Sequence, residues 1–195
     1  MNRPVALPLA VAALALAGAW VLFVGLPRWY APKAPAAAPA AAAEAAVAER
    51  KITATLYYVS GDGQALIGVQ REVPFGEAVV DQARRIVEMQ IAPPPQPLAS
   101  PVPAGTSLRG LYLTERGEAF VDLSADVRTG HSGGALDELF TVYAVVNALA
   151  VNLPAIVRVQ ILIDGKEADT LAGHVDLRHP LQKQLKWVTS EKEDP

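Results

Sequence analysis

An uncharged apolar run over residues 7–26, rich in Leu, Val, Ala, Phe and Trp, constrains this chain more than any other feature. A helix of about 20 apolar residues crosses a hydrocarbon core of about 30 Å. Pro8 falls in the first turn of such a helix, where a missing N–H costs little. Trp20, Trp29 and Tyr30 lie near its outer end, where amphipathic rings settle among headgroups. A cleaved signal peptide has a shorter apolar region, about 7–15 residues, before its cleavage site. The run is therefore read as a retained transmembrane anchor, although the small residues from Ala31 onward would permit cleavage. Arg3 and the α-amine on one side nearly balance Arg28 and Lys33 on the other. The orientation expected is N-terminus in, because residues 1–6 carry nothing to export and no second apolar run follows. That topology is single-pass in the inner (cytoplasmic) membrane, with the remaining chain periplasmic.

Residues 27–50 are dominated by Ala and Pro and read as a linker; Pro32, Pro35 and Pro39 block a continuous helix at its start. The 17 basic and 20 acidic side chains give a net charge of −3, which offers no basic face for nucleic acid. Cysteine is absent, so disulfides, thiolate nucleophiles, cysteine-ligated metals and a lipidated cysteine anchor are excluded. No cofactor or metal site is expected.

Residues 51–185 carry the globular pattern. Over 51–60, Ile52, Ala54, Leu56 and Tyr58 alternate with Thr53, Thr55, Tyr57 and Val59, a strand period of two. Ser60-Gly61-Asp62-Gly63 signals a turn, and residues 65–73 should pair back. A helix follows over 77–91, with Val79, Val80, Ala83, Ile86, Val87 and Ile91 on one face; Pro93-Pro94-Pro95 end it. Strands over 107–114 and 119–123 form the next pair. A long helix over 134–152 carries a stripe of Leu136, Leu139, Phe140, Tyr143, Val146, Leu149 and Leu153. Residues 156–163 make another strand, Asp164-Gly165 a tight turn, and 168–171 a returning strand that 174–177 would extend. Residues 186–195 read as a charged, loose tail. The order ββαββαββ predicts an α/β chain of the α+β type. It has one mixed, largely antiparallel sheet covered by two helices.

The globular part resembles the GerMN domain family, named after the sporulation and spore germination protein GerM. The resemblance is carried by several short stretches. These are Leu56-Tyr57-Tyr58, Val102-Pro103-Ala104-Gly105-Thr106, Ala119-Phe120-Val121-Asp122-Leu123-Ser124, and Glu138, Val142-Tyr143, Val146-Asn147 and Leu149. Val159-Gln160-Ile161-Leu162-Ile163-Asp164-Gly165-Lys166 completes the set. It implies a non-catalytic, membrane-tethered, extracytoplasmic module that helps assemble envelope complexes. The partners implied are other cell-envelope proteins, with a cell-wall amidase or peptidoglycan as candidates and homo-oligomers allowed. The chain departs from the family pattern in having one domain copy and no lipidation cysteine, which bears against a sporulation role.

Gly130-His131-Ser132-Gly133-Gly134 fits G-x-S-x-G, the elbow that exposes a nucleophilic serine. Asp164, Asp169, Asp176, His174 and His179 follow it, so a serine hydrolase centred on Ser132 is one alternative function. The preceding stretch Ser124-Ala125-Asp126-Val127-Arg128-Thr129 is mostly polar, unlike the buried strand an elbow needs. Ser132 is accordingly read as a helix cap, with Asp137 and Glu138 favouring the positive helix end. His131, His174 and His179 lack metal-ligand spacing and read as loop or surface histidines. Glu115, Glu118, Asp122 and Asp126 read as carboxylates of turns and strand ends. Glycan binding is a further alternative, but Trp187 is the one tryptophan near the domain. On the long helix Tyr143 reads as core and Asn147 as a buried hydrogen-bonding group. Both are also the candidate partner-binding residues, and Asn152 shares their helix.

Overall fold

The computed structural model describes residue 16, residues 18–25 and residues 50–189. The chain divides into two units, Met1–Ala42 and Ala43–Pro195. In the first, residues 18–20 are helical and Val21–Gly25 form a turn of π-helix. Leu16, Trp20, Val21, Leu22 and Phe23 expose their side chains. The rest of the expected anchor, and the linker up to residue 49, lie outside the described residues.

The second unit opens with the hairpin β1 (Lys51–Val59) and β2 (Leu66–Pro74), in register from Lys51↔Pro74 to Val59↔Leu66. Its core face carries Ala54, Leu56, Tyr58, Ile67 and Val73, whereas Thr53, Gln70 and Glu72 on the other face are exposed. The Asp62 carboxylate sets the turn by accepting the Ser60 hydroxyl at 2.6 Å and the Gln64 N–H at 3.0 Å. Helix α1 (Val79–Ile91) ends where the prolines begin. β3 (Leu108–Leu113) and β4 (Glu118–Leu123) form the second hairpin, with Gly117 at φ 77°. A Cβ at Gly117 would lie 2.5 Å from the Ala155 carbonyl oxygen, so sterics as well as φ require glycine there. The short helix α2 (Asp126–Thr129) leads to α3 (Ala135–Asn152), β5 (Arg158–Ile163), β6 (Lys166–Glu167) and β7 (Val188–Thr189). Asp164 and Gly165, at φ 51° and 73°, make the two-residue turn expected between β5 and β6.

The chain is α+β, but its strands form two mixed sheets, β1-β2-β7 and β3-β4-β5-β6, where the sequence predicts one. β5 runs parallel to β4, from Glu118↔Arg158 to Leu123↔Ile163. Parallel neighbours need a crossover; α3 is that crossover, a connection that reading hairpin by hairpin does not reveal. α3 also differs from a covering helix. Phe140, Val146 and Leu149 of its expected stripe are buried, but so are Val142, Ala144, Val145 and Ala148. It packs against β1, β5 and α1 together, and a helix enclosed on most sides is apolar on most sides. Its length and composition would also suit a membrane span; burial in the core accounts for both.

Alternate residues of an antiparallel strand point their N–H and C=O away from the partner. The Ser60 N–H bonds the Ala65 carbonyl at 2.9 Å, so on β1 the outward groups belong to Thr55, Tyr57 and Val59. The Val59 N–H donates to the Ala99 carbonyl at 2.9 Å. Gln90 of α1 clamps Tyr57 at both ends. The Tyr57 N–H donates to Oε1 at 2.8 Å, and Nε2 donates to the Tyr57 carbonyl at 2.7 Å. Asn152 of α3 repeats this at Thr55, with both bonds at 2.8 Å. Two carboxamides thus stand where a neighbouring strand would.

The C-terminal region corrects two expectations. The returning strand is confined to Lys166–Glu167, and neither 168–171 nor 174–177 is a strand. The ordered domain also runs past residue 185. The Leu66 N–H donates to the Trp187 carbonyl at 2.8 Å, and Val188–Thr189 pair parallel to β2. At the other end Arg50 belongs to the domain, because its carbonyl accepts the Phe75 N–H at 2.8 Å and its guanidinium lies 3.8 Å from the Phe75 ring centroid.

Gln90 is fully buried, and truncating it strands two buried backbone groups. We expect Gln90→Ala to destabilise the protein by about 2–4 kcal/mol in urea unfolding. Gln70→Ala, on the exposed face of β2, should stay within about 0.5 kcal/mol of the parent.

Candidate functional site

The N-terminal turns of α3 face the loop over 100–104 and the residues joining α2 to α3. Between them lies a cleft of about 410 Å³, walled by Val59, Pro101, Val102, Pro103 and Phe140 and by the polar side chains discussed next. Pocket volumes of roughly 300–1,000 Å³ are typical of ligand sites.

Every side-chain proton donor on this wall is already engaged. The Ser100 hydroxyl donates to the Val102 carbonyl at 3.0 Å. The Thr141 hydroxyl donates to the Pro101 carbonyl at 2.6 Å, with the Asp137 carbonyl also in reach at 2.9 Å. The Gly133 N–H donates to Nδ1 of His131 at 2.9 Å, which places the ring proton on Nε2. That nitrogen lies 3.3 Å from Thr141 Oγ1, an oxygen whose own proton points elsewhere, so the imidazole donates to it. The Ser132 hydroxyl donates to the Asp137 carboxylate.

These bonds describe the surroundings of the G-x-S-x-G stretch. Ser132 is bonded to a carboxylate and not to an imidazole, and His131 is turned to Gly133 and Thr141. Of the downstream residues considered for a triad, His174 is bonded to Glu138, Asp176 to Arg178 and Asp164 to Arg109. The base–nucleophile bond that activates a serine is not assembled. The capping role expected of Ser132 is corrected too. Gly134 is the N-cap of α3 and makes no side-chain cap bond, while Ser132 reaches past it to the first-turn carboxylate of Asp137.

Glu138 is the neighbouring group that the sequence undervalues. Its side chain is wholly buried. Oε1 accepts the Leu171 and Ala172 N–H groups, each at 2.8 Å. Oε2 accepts the His174 N–H at 2.7 Å and its Nδ1 at 3.0 Å. Burial pushes the carboxyl pKa up, but the backbone N–H groups of Ala172, His174, Leu171 and Val175 outweigh it and hold the group below its ordinary value. The N–H groups that a returning strand would use are therefore on Glu138, and residues 171–174 form a loop bound to α3. Arg128 of α2 tethers the same loop by donating to the Thr170 carbonyl at 2.7 Å.

Asn147 and Tyr143 lie further along α3. Asn147 is fully buried. Its Nδ2 donates to the Gln184 carbonyl at 2.9 Å and its Oδ1 accepts the Gln184 N–H at 2.8 Å. The carboxamide is used within the fold. Tyr143 is half-buried and packs against the core. Asp122 is not a solvated strand-end carboxylate. It accepts the Gly165 N–H at 2.7 Å and pairs with Arg109 at 3.2 Å, which pins the β5–β6 turn. Glu118 pairs with Arg158 at 3.0 Å, and Asp126 accepts the Ser124 hydroxyl at 2.8 Å. His174 and His179 are exposed on loops, and His131 is half-buried. Among the described residues no three His, Asp or Glu side chains converge as metal ligands.

The family model described as Germane, sporulation and spore germination, matches residues 55–169, from β1 through the loop after β6. The chain belongs to this family. Its domain is GerMN-like, in agreement with the fold of the tandem GerMN domains of the sporulation protein GerM from Bacillus subtilis. That match has a TM-score of 0.54 at 18% identity, covering 68% of this chain and 46% of that one. The first GerMN domain of the same protein gives 0.46 at 18% identity, over 68% of this chain and 95% of that one. A Clostridium perfringens chain described as a candidate lipoprotein gives 0.49 at 23% identity, over 68% and 88%. No curated protein matches the chain.

Because the folded-state pKa of Glu138 is depressed, its contribution is present above the unfolded pKa and is lost as pH falls through the folded one. Glu138→Gln should lower stability by about 2–3 kcal/mol near pH 7, because the amide nitrogen faces N–H donors that the carboxylate accepted. The gap between parent and variant should narrow in melts below the ordinary value of 4.5.

Proposed function

We propose that this chain is a single-pass membrane protein whose GerMN-like domain works outside the cytoplasm as a non-catalytic assembly module of the cell envelope. Family membership carries the reading, since the family match spans most of the globular domain. The anchor is supported by the sequence over 7–26 and by Leu16, Trp20, Val21, Leu22 and Phe23, whose exposed side chains need lipid or protein cover. The absence of catalysis is supported by the cleft, where Ser132, His131 and Asp137 are bonded in an order that activates no nucleophile. In this reading other envelope proteins are the partners, with a cell-wall amidase, peptidoglycan and further copies of the chain as candidates. The domain is periplasmic and the N-terminus stays inside.

Photocrosslinkers placed at Tyr112 and Gln70, both exposed, test the reading in intact cells carrying the full chain. Discrete envelope proteins should be captured reproducibly and identified by mass spectrometry; uncrosslinked monomer alone would count against assembly. Alkaline extraction should leave the full chain in the membrane pellet. A fluorophosphonate probe should label neither the parent nor Ser132→Ala. Labelling of the parent that the substitution removes would establish the hydrolase instead.

A further inference from the structure

The polar chemistry of the cleft is one-sided. Its side-chain donors, on Ser100, His131, Ser132 and Thr141, are all directed at acceptors within the protein. Asp137 is exposed, it is the one carboxylate among the lining residues, and no lysine or arginine lines the wall. A ligand entering this space meets apolar surface from Val59, Pro101, Pro103 and Ala104, and one anionic acceptor. Such a surface selects a hydrocarbon stem ending in a cationic donor.

We infer that the cleft receives a lysine side chain of a partner polypeptide, its methylenes against Pro101, Pro103 and Ala104 and its ammonium on Asp137. The carboxylate geometry separates lysine from arginine. The Ser132 hydroxyl already takes one lone pair of Asp137 Oδ2, so a fork spanning both oxygens competes with it. A guanidinium gains most from binding both oxygens as a fork, whereas an ammonium is a point charge satisfied by one. The Ser132–Asp137 bond thus sets specificity without touching the reacting end of any substrate. This inference rests on the assembly reading only in drawing the ammonium from a polypeptide, and a free alkylammonium probes the cleft chemistry separately.

The test is methyl NMR on the full chain in detergent micelles, followed at Val59, Val102 and Ala104. The probes are Nα-acetyl-lysine methylamide, its arginine and norleucine counterparts, and n-butylammonium. The lysine derivative and butylammonium should shift these methyls saturably, the norleucine derivative should not, and lysine should bind more tightly than arginine. Asp137→Asn, which keeps an acceptor for Ser132, should weaken the lysine derivative at least tenfold. Ser132→Ala should retain lysine binding and narrow its advantage over arginine. Equal shifts from norleucine and lysine, unchanged binding in Asp137→Asn, or no shift from any probe would overturn the proposal. Binding of butylammonium without the lysine derivative would overturn the polypeptide partner while leaving the envelope location untouched.

Discussion

The outer edge of β1 is the constraint around which this domain is arranged. A strand inside a fold must satisfy both rows of its backbone groups, and β1 has a strand neighbour on one side only. The missing row is supplied piecemeal, by Gln90 at Tyr57, Asn152 at Thr55 and Ala99 at Val59. This fixes where α1 and α3 end relative to β1, because each helix presents its carboxamide from its last turn. The same device recurs elsewhere. Gln82 bridges Gly76 and Pro74, Asn147 binds Gln184, and Gln160 reaches the Leu177 carbonyl. Carboxamides suit this use because one group both donates and accepts, as a peptide unit does. The capped edge is also closed to strand addition from outside, which protects against the aggregation that open edges invite.

The sequence makes the local pattern of this fold legible. Alternation marks β1, helical spacing marks α1, prolines mark the end of α1, and Asp164-Gly165 marks the tight turn. It conceals what depends on distant pairs. Nothing local to β5 says that its neighbour is β4 in parallel and not a hairpin partner. Nothing local to Glu138 says that its acceptors serve Leu171, Ala172 and His174. A glutamate in a first turn has an ordinary explanation in the helix dipole, and that explanation hides the buried anchor. Val188–Thr189 were obscured in the same way, since a charged terminal composition outweighed two residues that complete a sheet.

For the candidate site, the sequence exposes the residues and hides their wiring. G-x-S-x-G is visible as a string, and the residue types of a catalytic cluster are present near one another. What decides the chemistry is which nitrogen faces which oxygen. His131 accepts a backbone N–H through Nδ1 and Ser132 faces a carboxylate, so proximity yields a well-bonded wall and a single acidic point. Asn147 shows the reverse case. The sequence reads it first as a buried hydrogen-bonding group and second as a candidate contact, and its burial and its bonds to Gln184 match the first reading.

The clasp between Asn147 and Gln184, together with Asn152 on Thr55, has a consequence for the order in which the chain acquires structure. These bonds join positions 37 and 97 residues apart. Long-range closures of this kind slow folding, because the intervening chain must be ordered before they form. A chain that emerges N-terminus first presents β1 long before Asn152, and α3 before Gln184. The central helix therefore waits at both ends, for a strand already made and for a segment not yet delivered. Until β5 arrives, part of the apolar surface of α3 stays uncovered, and that interval is when a chaperone would have the most to hold.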